Sequence, residues 1–157
     1  MMMKKKKGFT LVELVVSMSI LVIVLASCAL IVVTISKLSA KKEYEEACLT
    51  EYQNASDLIF EYKNAFSVSE YSLYSVNTNG ISLKKGDDEF TLTFNTTNTT
   101  LTAQIYNHST NQIDTKNLKF NNLKNIQFVQ EGNLVKCTYQ FENFNQYTNL
   151  LNFGVNQ

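Results

Sequence analysis

The chain has 157 residues and a mass of 17.9 kDa, room for one core but not for a multidomain enzyme. Lys+Arg and Asp+Glu both number 14, so the formal net charge is zero, and every basic residue is Lys, which removes bidentate Arg recognition of phosphate. Hydrophobic residues make up 45%, too many for a disordered chain, yet mean hydropathy is only -0.12 because the apolar residues crowd the first quarter and Asn and Thr fill the rest.

A basic tail comes first, ending in Lys4, Lys5, Lys6 and Lys7, and from Leu14 to Ser36 there is no charged residue. As a helix that block is about 35 Å long against a hydrocarbon core of about 30 Å, so it can span a membrane. Lys37, Lys41 and Lys42 after it are offset by Glu43, Glu45 and Glu46, whereas the tail has no acid. The asymmetry predicts a single-pass protein with its N-terminus cytoplasmic and its C-terminal domain extracytoplasmic.

From Lys37 to Phe66 the residues Tyr44, Cys48, Tyr52, Ala55, Ile59, Tyr62 and Phe66 recur in steps that make one stripe on a helix. No Gly or Pro interrupts Phe9 to Phe66, which predicts one continuous helix with a membrane half at residues 9–36 and an amphipathic half at 37–66. After it the period turns to two: Tyr71 with Leu73, Ile81 with Leu83, Phe90 with Leu92 and Phe94, then Leu101, Ala103 and Ile105. Turn chemistry separates these strands at Asn79-Gly80, Gly86-Asp87-Asp88, Asn95 to Asn98 and Gly132-Asn133, which predicts hairpins and an antiparallel sheet over 67–157. Val135, Cys137, Tyr139 and Phe141 share one strand face that needs cover, and the helix stripe supplies it. The fold class is therefore α+β. Asn107 to Asn117 reads as an exposed loop, and Asn143 to Gln157 shows no clean period, so no element is assigned there.

The most informative residues are Lys7-Gly8-Phe9-Thr10-Leu11-Val12-Glu13, in which an acid stands at the head of the apolar run. A carboxylate in that place calls for a cationic partner or for neutralisation. Lys7 is near, and a cut after Gly8 would create an amine on Phe9, one helical turn before Glu13. An acid stabilised by the dipole of the first helical turn would account for Glu13 but not for Lys7-Gly8-Phe9.

The segment resembles the class III signal of type IV prepilins and type II secretion pseudopilins, over about Lys4 to Ile35. The resemblance implies a prepilin leader at residues 1–8, cleavage between Gly8 and Phe9 by a prepilin peptidase, and N-methylation of Phe9. It implies that Glu13 acts in assembly by pairing with the amine of a neighbouring subunit. It also implies partners: other pilin or pseudopilin subunits, an inner-membrane assembly platform and, before assembly, membrane lipid. The product would be a periplasmic or cell-surface filament of a type IV pilus, a type II secretion system or a competence pseudopilus. Major pilins usually carry a Pro partway along the membrane helix, near the place of Leu30; this chain has none, which points to a minor pseudopilin.

Leu25-Ala26-Ser27-Cys28 resembles a lipobox, which would make Cys28 a lipidated first residue. Against that, Glu13 would interrupt the signal's apolar core, and Ala29 to Ile35 stays apolar where a lipoprotein turns polar. Cys48 on the helix stripe and Cys137 on the covered strand face permit a disulfide; two buried thiols are the other reading. The three Cys and lone His108 have no zinc-ligand spacing, and no nucleophile, base and orienter come together, so neither cofactor, metal nor catalysis is expected. From Ser67 onward 6 Lys face 7 acids with no basic stripe, which predicts no direct nucleic-acid binding. A membrane-anchored binding or adhesion module, using the sheet and the Asn107 to Asn117 segment, is the alternative in a different class.

Overall fold

The computed structural model describes residues 10–65, 72–132, 134–142 and 146–152. One helix, α1 (Leu11–Ala65), precedes eight strands: β1 (Ser72–Asn77), β2 (Gly80–Lys85), β3 (Asp88–Asn95), β4 (Thr100–Asn107), β5 (Gln112–Lys119), β6 (Leu123–Glu131), β7 (Leu134–Phe141) and β8 (Tyr147–Asn152). The chain divides into two compact units between Tyr44 and Glu45, inside α1.

In the first unit α1 is exposed from Leu11 through Glu43, and this is the stretch long and apolar enough to cross a membrane. Four hydroxyls within it are satisfied locally: Ser17, Ser19, Ser27 and Thr34 donate to the carbonyls of Glu13, Val15, Ile23 and Leu30, one turn back, at 2.7–2.9 Å. A polar side chain that bonds its own backbone can sit in hydrocarbon without a partner helix, so none of the four bars α1 from lipid.

The second unit is α+β, with the remainder of α1 packed on two antiparallel sheets where the sequence predicts one. The five-stranded sheet runs β1-β2-β3-β4-β5 and the three-stranded sheet β6-β7-β8, each in chain order, so every connection is a hairpin except that between β5 and β6. Cys48, Ala55, Ile59 and Tyr62 of the predicted stripe are buried, joined by Leu58 and Ser56; Tyr52 is half-buried, and Phe66 lies outside the described residues. Facing them are Ile81, Leu83, Phe90, Leu92, Phe94, Leu101 and Ala103 from the first sheet. The second contributes Leu123, Ile126, Phe128, Val135, Cys137, Tyr139 and Leu151, and β7 shows the predicted alternation along its whole length.

Three details depart from the sequence reading. Asn107 to Asn117 is largely strand: β5 pairs with β4 from Asn107↔Gln112 to Thr100↔Lys119, around a turn at residues 108–111. Seven of its eight residues are exposed, so neither face carries the apolar alternation that marks a half-buried strand. The Asn-rich tail holds β8, which pairs with β7 from Tyr139↔Tyr147 to Leu134↔Asn152. The first hairpin turns on Thr78 and Asn79, and Gly80 sits in β2 opposite Thr93. A Cβ there would lie 2.7 Å from the carbonyl oxygen of Leu92, so the glycine serves close strand approach rather than a positive φ. Tyr71, Asn133 and residues 143–145 and 153–157 lie outside the described residues.

Glu51 fastens the β5–β6 connection to α1. Its carboxylate accepts backbone N–H bonds from Asn121 at 3.0 Å, Asn122 at 3.0 Å and Leu123 at 2.8 Å, and a fourth from the Asn122 side-chain amide at 3.2 Å. Sequence periodicity cannot find such a clamp, because its acceptor and donors are some seventy positions apart.

Candidate functional site: the head of the N-terminal helix

α1 begins with a reciprocal cap. Thr10 is the N-cap, its carbonyl accepting the first helical bond from Leu14 N at 3.2 Å. The Glu13 carboxylate accepts from Thr10 N and from Thr10 Oγ1, both at 2.9 Å, while Glu13 N donates to Thr10 Oγ1 at 3.3 Å. This is the Thr-x-x-Glu capping box, legible in the sequence as Thr10-Leu11-Val12-Glu13, so the first partner of the Glu13 carboxylate is its own helix cap rather than a cation. Lys7, Gly8 and Phe9, and with them the proposed cleavage and methylation positions, lie outside the described residues. What the structure adds is a carboxylate held at the N-terminal end of α1 by its own chain and still exposed to any donor a neighbour brings.

Apolar side chains just beyond it are unusually bare: Leu11 is 78% exposed, and Val15, Met18 and Val22 lie between 55% and 65%. So large an apolar surface on one helix requires lipid or other helices around it. Cys28 is exposed in the middle of this stretch, with helix on both sides.

Cys48 and Cys137 are buried in the second unit, and both are thiols rather than halves of a disulfide. The contacts around them set their levels. Tyr52, one turn after Cys48, stacks on Tyr147 at 4.6 Å and meets the edge of Tyr139 at 5.0 Å. Ser56, two turns after Cys48, accepts a 2.9 Å bond from Asn149, whose partner across the strands is Cys137. The Asn149 side chain also accepts from Tyr52 Oη, so Cys137 stands level with the stretch from Tyr52 to Ser56, about 6–12 Å along α1 from Cys48. A disulfide needs Cα atoms within about 7 Å, and here the two residues carry free thiols. Burial also pushes the Cys137 thiol up to about 12, which keeps it protonated and unreactive at neutral pH. Iodoacetamide at pH 8 is expected to spare Cys137 in the native detergent-solubilised protein and to label it once the second unit is unfolded. Gel mobility is expected to be the same with and without reductant.

Among the described residues no group of three or more His, Cys, Asp and Glu is placed to hold a metal ion. Tyr62 stands in the core beside β5; burial first, then the carboxylate of Asp114, raises its pKa. That is the behaviour of a packed tyrosine at a helix–sheet seam.

The family profile described as the prokaryotic N-terminal methylation motif matches residues 3–29. No curated protein and no solved structure matches the chain. The matched segment includes Thr10, Glu13 and the first half of the exposed apolar stretch. A prepilin-type methylation motif at the head of a long helix, with antiparallel sheet packed on the helix's second half, is the general arrangement of pilin- and pseudopilin-like structural subunits. The motif implies processing by a peptidase-like enzyme and assembly with related subunits.

Proposed function

We propose that this chain is a minor pseudopilin: a membrane precursor trimmed after Gly8, methylated at Phe9 and drawn through its N-terminal helix into a pilus-like, secretion or competence filament. The observation that carries the reading is the methylation-motif match at residues 3–29 on a helix whose apolar side chains from Leu11 to Leu38 are exposed. Residues 1–8 are the leader and 9–36 the membrane half. Residues 37–66 form the amphipathic half and 67–157 the β domain outside the membrane. Absence of Pro from the membrane half favours a minor over a major subunit.

Two physical effects drive assembly in this reading. Apolar side chains between Leu14 and Ile35 exchange lipid for neighbouring helices, where packing replaces loose acyl contacts. The Glu13 carboxylate, already oriented by Thr10, gains the charge of a neighbour's terminal amine. Lipidation at Cys28 is the less supported course, since it would sever α1 in the middle of its exposed stretch.

The test is the intact mass and N-terminal peptide of the protein extracted from cells that contain a prepilin peptidase. A chain starting at N-methylated Phe9 is the expected result. A start at lipidated Cys28 would replace the reading with a lipoprotein, and an uncut chain would reduce it to a membrane-anchored module.

A further inference from the structure

The two sheets of the second unit leave two outward edges. β1 and β6 are also terminal strands, but a hydrogen bond from Phe128 N in β6 to Thr78 O at the end of β1 joins that side. β5 and β8 each pair on one side only among the described residues. Such edges present unsatisfied N–H and C=O groups, and proteins commonly blunt them with Pro, bulges or charge. β8 has none of these devices; β5 has charges alone.

Their directions follow from contacts with α1. Tyr147 meets Tyr52 and Asn149 meets Ser56, so β8 runs parallel to α1. Lys116 bonds Glu61 at 2.7 Å, and Asn121 to Leu123, just past the end of β5, bond Glu51, so β5 runs antiparallel to α1. Glu61 and Ser56 are about 140° apart around the helix, which puts the two edges on opposite flanks of α1. Copies of the chain that all point the same way therefore bring β5 of one beside β8 of the next as an antiparallel pair.

We propose that β5 and β8 are the two halves of one intersubunit contact, β5 of one copy pairing antiparallel with β8 of a second copy. The inference rests on the filament reading above and requires copies of this chain to be neighbours in that filament, whatever share of it they make up. The side chains select a register. Ile113 on β5 is 65% exposed and Leu150 on β8 is 57% exposed, the large bare apolar residues of the two strands. Ile113 shares a sheet face with its partner Tyr106, and Leu150 with its partner Lys136; both are faces opposite the buried one. Pairing Ile113 with Leu150 sets Thr115 against Thr148 on the same outer face and Asp114 against Asn149 on the inner face. β8 is uncharged, so Asp114, Lys116 and Lys119 of β5 meet no like charge across the pair.

The contact is heterologous and staggered. Asp114 lies at the level of Tyr62 and Asn149, which bonds both Tyr52 and Ser56, at the level of that stretch, so the register displaces the second copy by about six to ten helix residues, about 9–15 Å along α1. A head-to-tail contact with such a displacement cannot close into a ring and propagates as an open helical array.

The test uses the full chain with Cys28→Ser, in cells that supply the peptidase and the assembly machinery. Copies carrying Ile113→Cys and copies carrying Leu150→Cys, differently tagged, are co-expressed, oxidised with copper phenanthroline and analysed without reductant in sheared filaments. A mixed covalent dimer at least about tenfold more abundant than either variant gives alone is the expected result, since directly opposed positions have Cβ atoms about 5 Å apart. Thr115→Cys with Thr148→Cys should behave likewise. Filaments without the mixed dimer, or a dimer from Ile113→Cys alone, overturn the edge pairing and leave the filament reading standing. Mixed dimers in membranes that hold no filament sustain the pairing and remove the filament reading. Absence of both overturns the two together.

Discussion

Replacing Glu51 by Ala is expected to destabilise the second unit by about 2–4 kcal/mol, the largest effect of any single polar side chain among the described residues. The reason lies in the number and kind of donors it serves. Three consecutive backbone N–H groups, at Asn121, Asn122 and Leu123, converge on one carboxylate together with the Asn122 amide. Asn122 is half-buried and Leu123 fully buried, so water cannot take over all of these bonds when the acceptor is removed. A hydrogen bond to a charged acceptor contributes about 1.5–3 kcal/mol, and a buried donor left unmatched costs about 1–3 kcal/mol; partial exposure of Glu51 keeps the total below their sum.

The clamp also holds the connection that, among the described residues, passes from one sheet to the other. Losing it frees the start of β6 as well as the end of β5. Glu51→Gln should recover little, because the amide offers one acceptor oxygen and turns an NH2 toward backbone donors. The contrasting case is Glu61→Ala, which removes an exposed ion pair with Lys116 and should cost no more than about 0.5 kcal/mol. Urea unfolding of the full chain in micelles, followed by tyrosine fluorescence, measures both. A midpoint about 1–2 M lower for Glu51→Ala and nearly unchanged for Glu61→Ala is the expected pattern. Equal midpoints for the two variants would show that the four bonds contribute no more than a surface pair.

How much of this was legible in the sequence depends on where each signal comes from. α1 and β7 bury one regular stripe or face each, so Cys48, Ala55, Ile59 and Tyr62, and Val135, Cys137, Tyr139 and Phe141, could be assigned from spacing alone. β5 and β8 are edges with much of their side-chain surface in water, and selection for burial leaves little mark on strands such as Gln112–Lys119 and Tyr147–Asn152. Division of the strands into two sheets was hidden for a different reason. It depends on the three-residue connection at 120–122, which the Glu51 carboxylate bends and holds. At the head of the helix, the capping box is fully present in the letters, because Thr10 and Glu13 are three positions apart and the bonds between them are local.

Glu13→Val is expected to leave cleavage and methylation intact and to lower incorporation into filaments by at least about tenfold. Two roles of the carboxylate predict different companions to that result. If Glu13 only caps α1, Thr10→Ala should be about as harmful as Glu13→Val, because each removes two of the box's three bonds: Ala loses both bonds of Thr10 Oγ1, and Val loses both bonds accepted by the carboxylate. Glu13→Gln, whose amide oxygen can still accept from Thr10 N, should then be close to normal. If the negative charge recruits a neighbour's amine, the order reverses: Gln fails with Val, since a neutral amide cannot offset an ammonium in lipid, while Thr10→Ala keeps the charge and most of the incorporation. We expect the second order. Thr10 in this account is a positioning residue, holding the carboxylate at the helix head until an amine arrives. The measurement is the ratio of sheared-filament to membrane-bound protein on immunoblots, with N-terminal mass spectrometry of each variant to verify processing. Normal incorporation of Glu13→Gln would reduce the carboxylate to a helix cap and leave the apolar face of α1 as the sole drive to assembly.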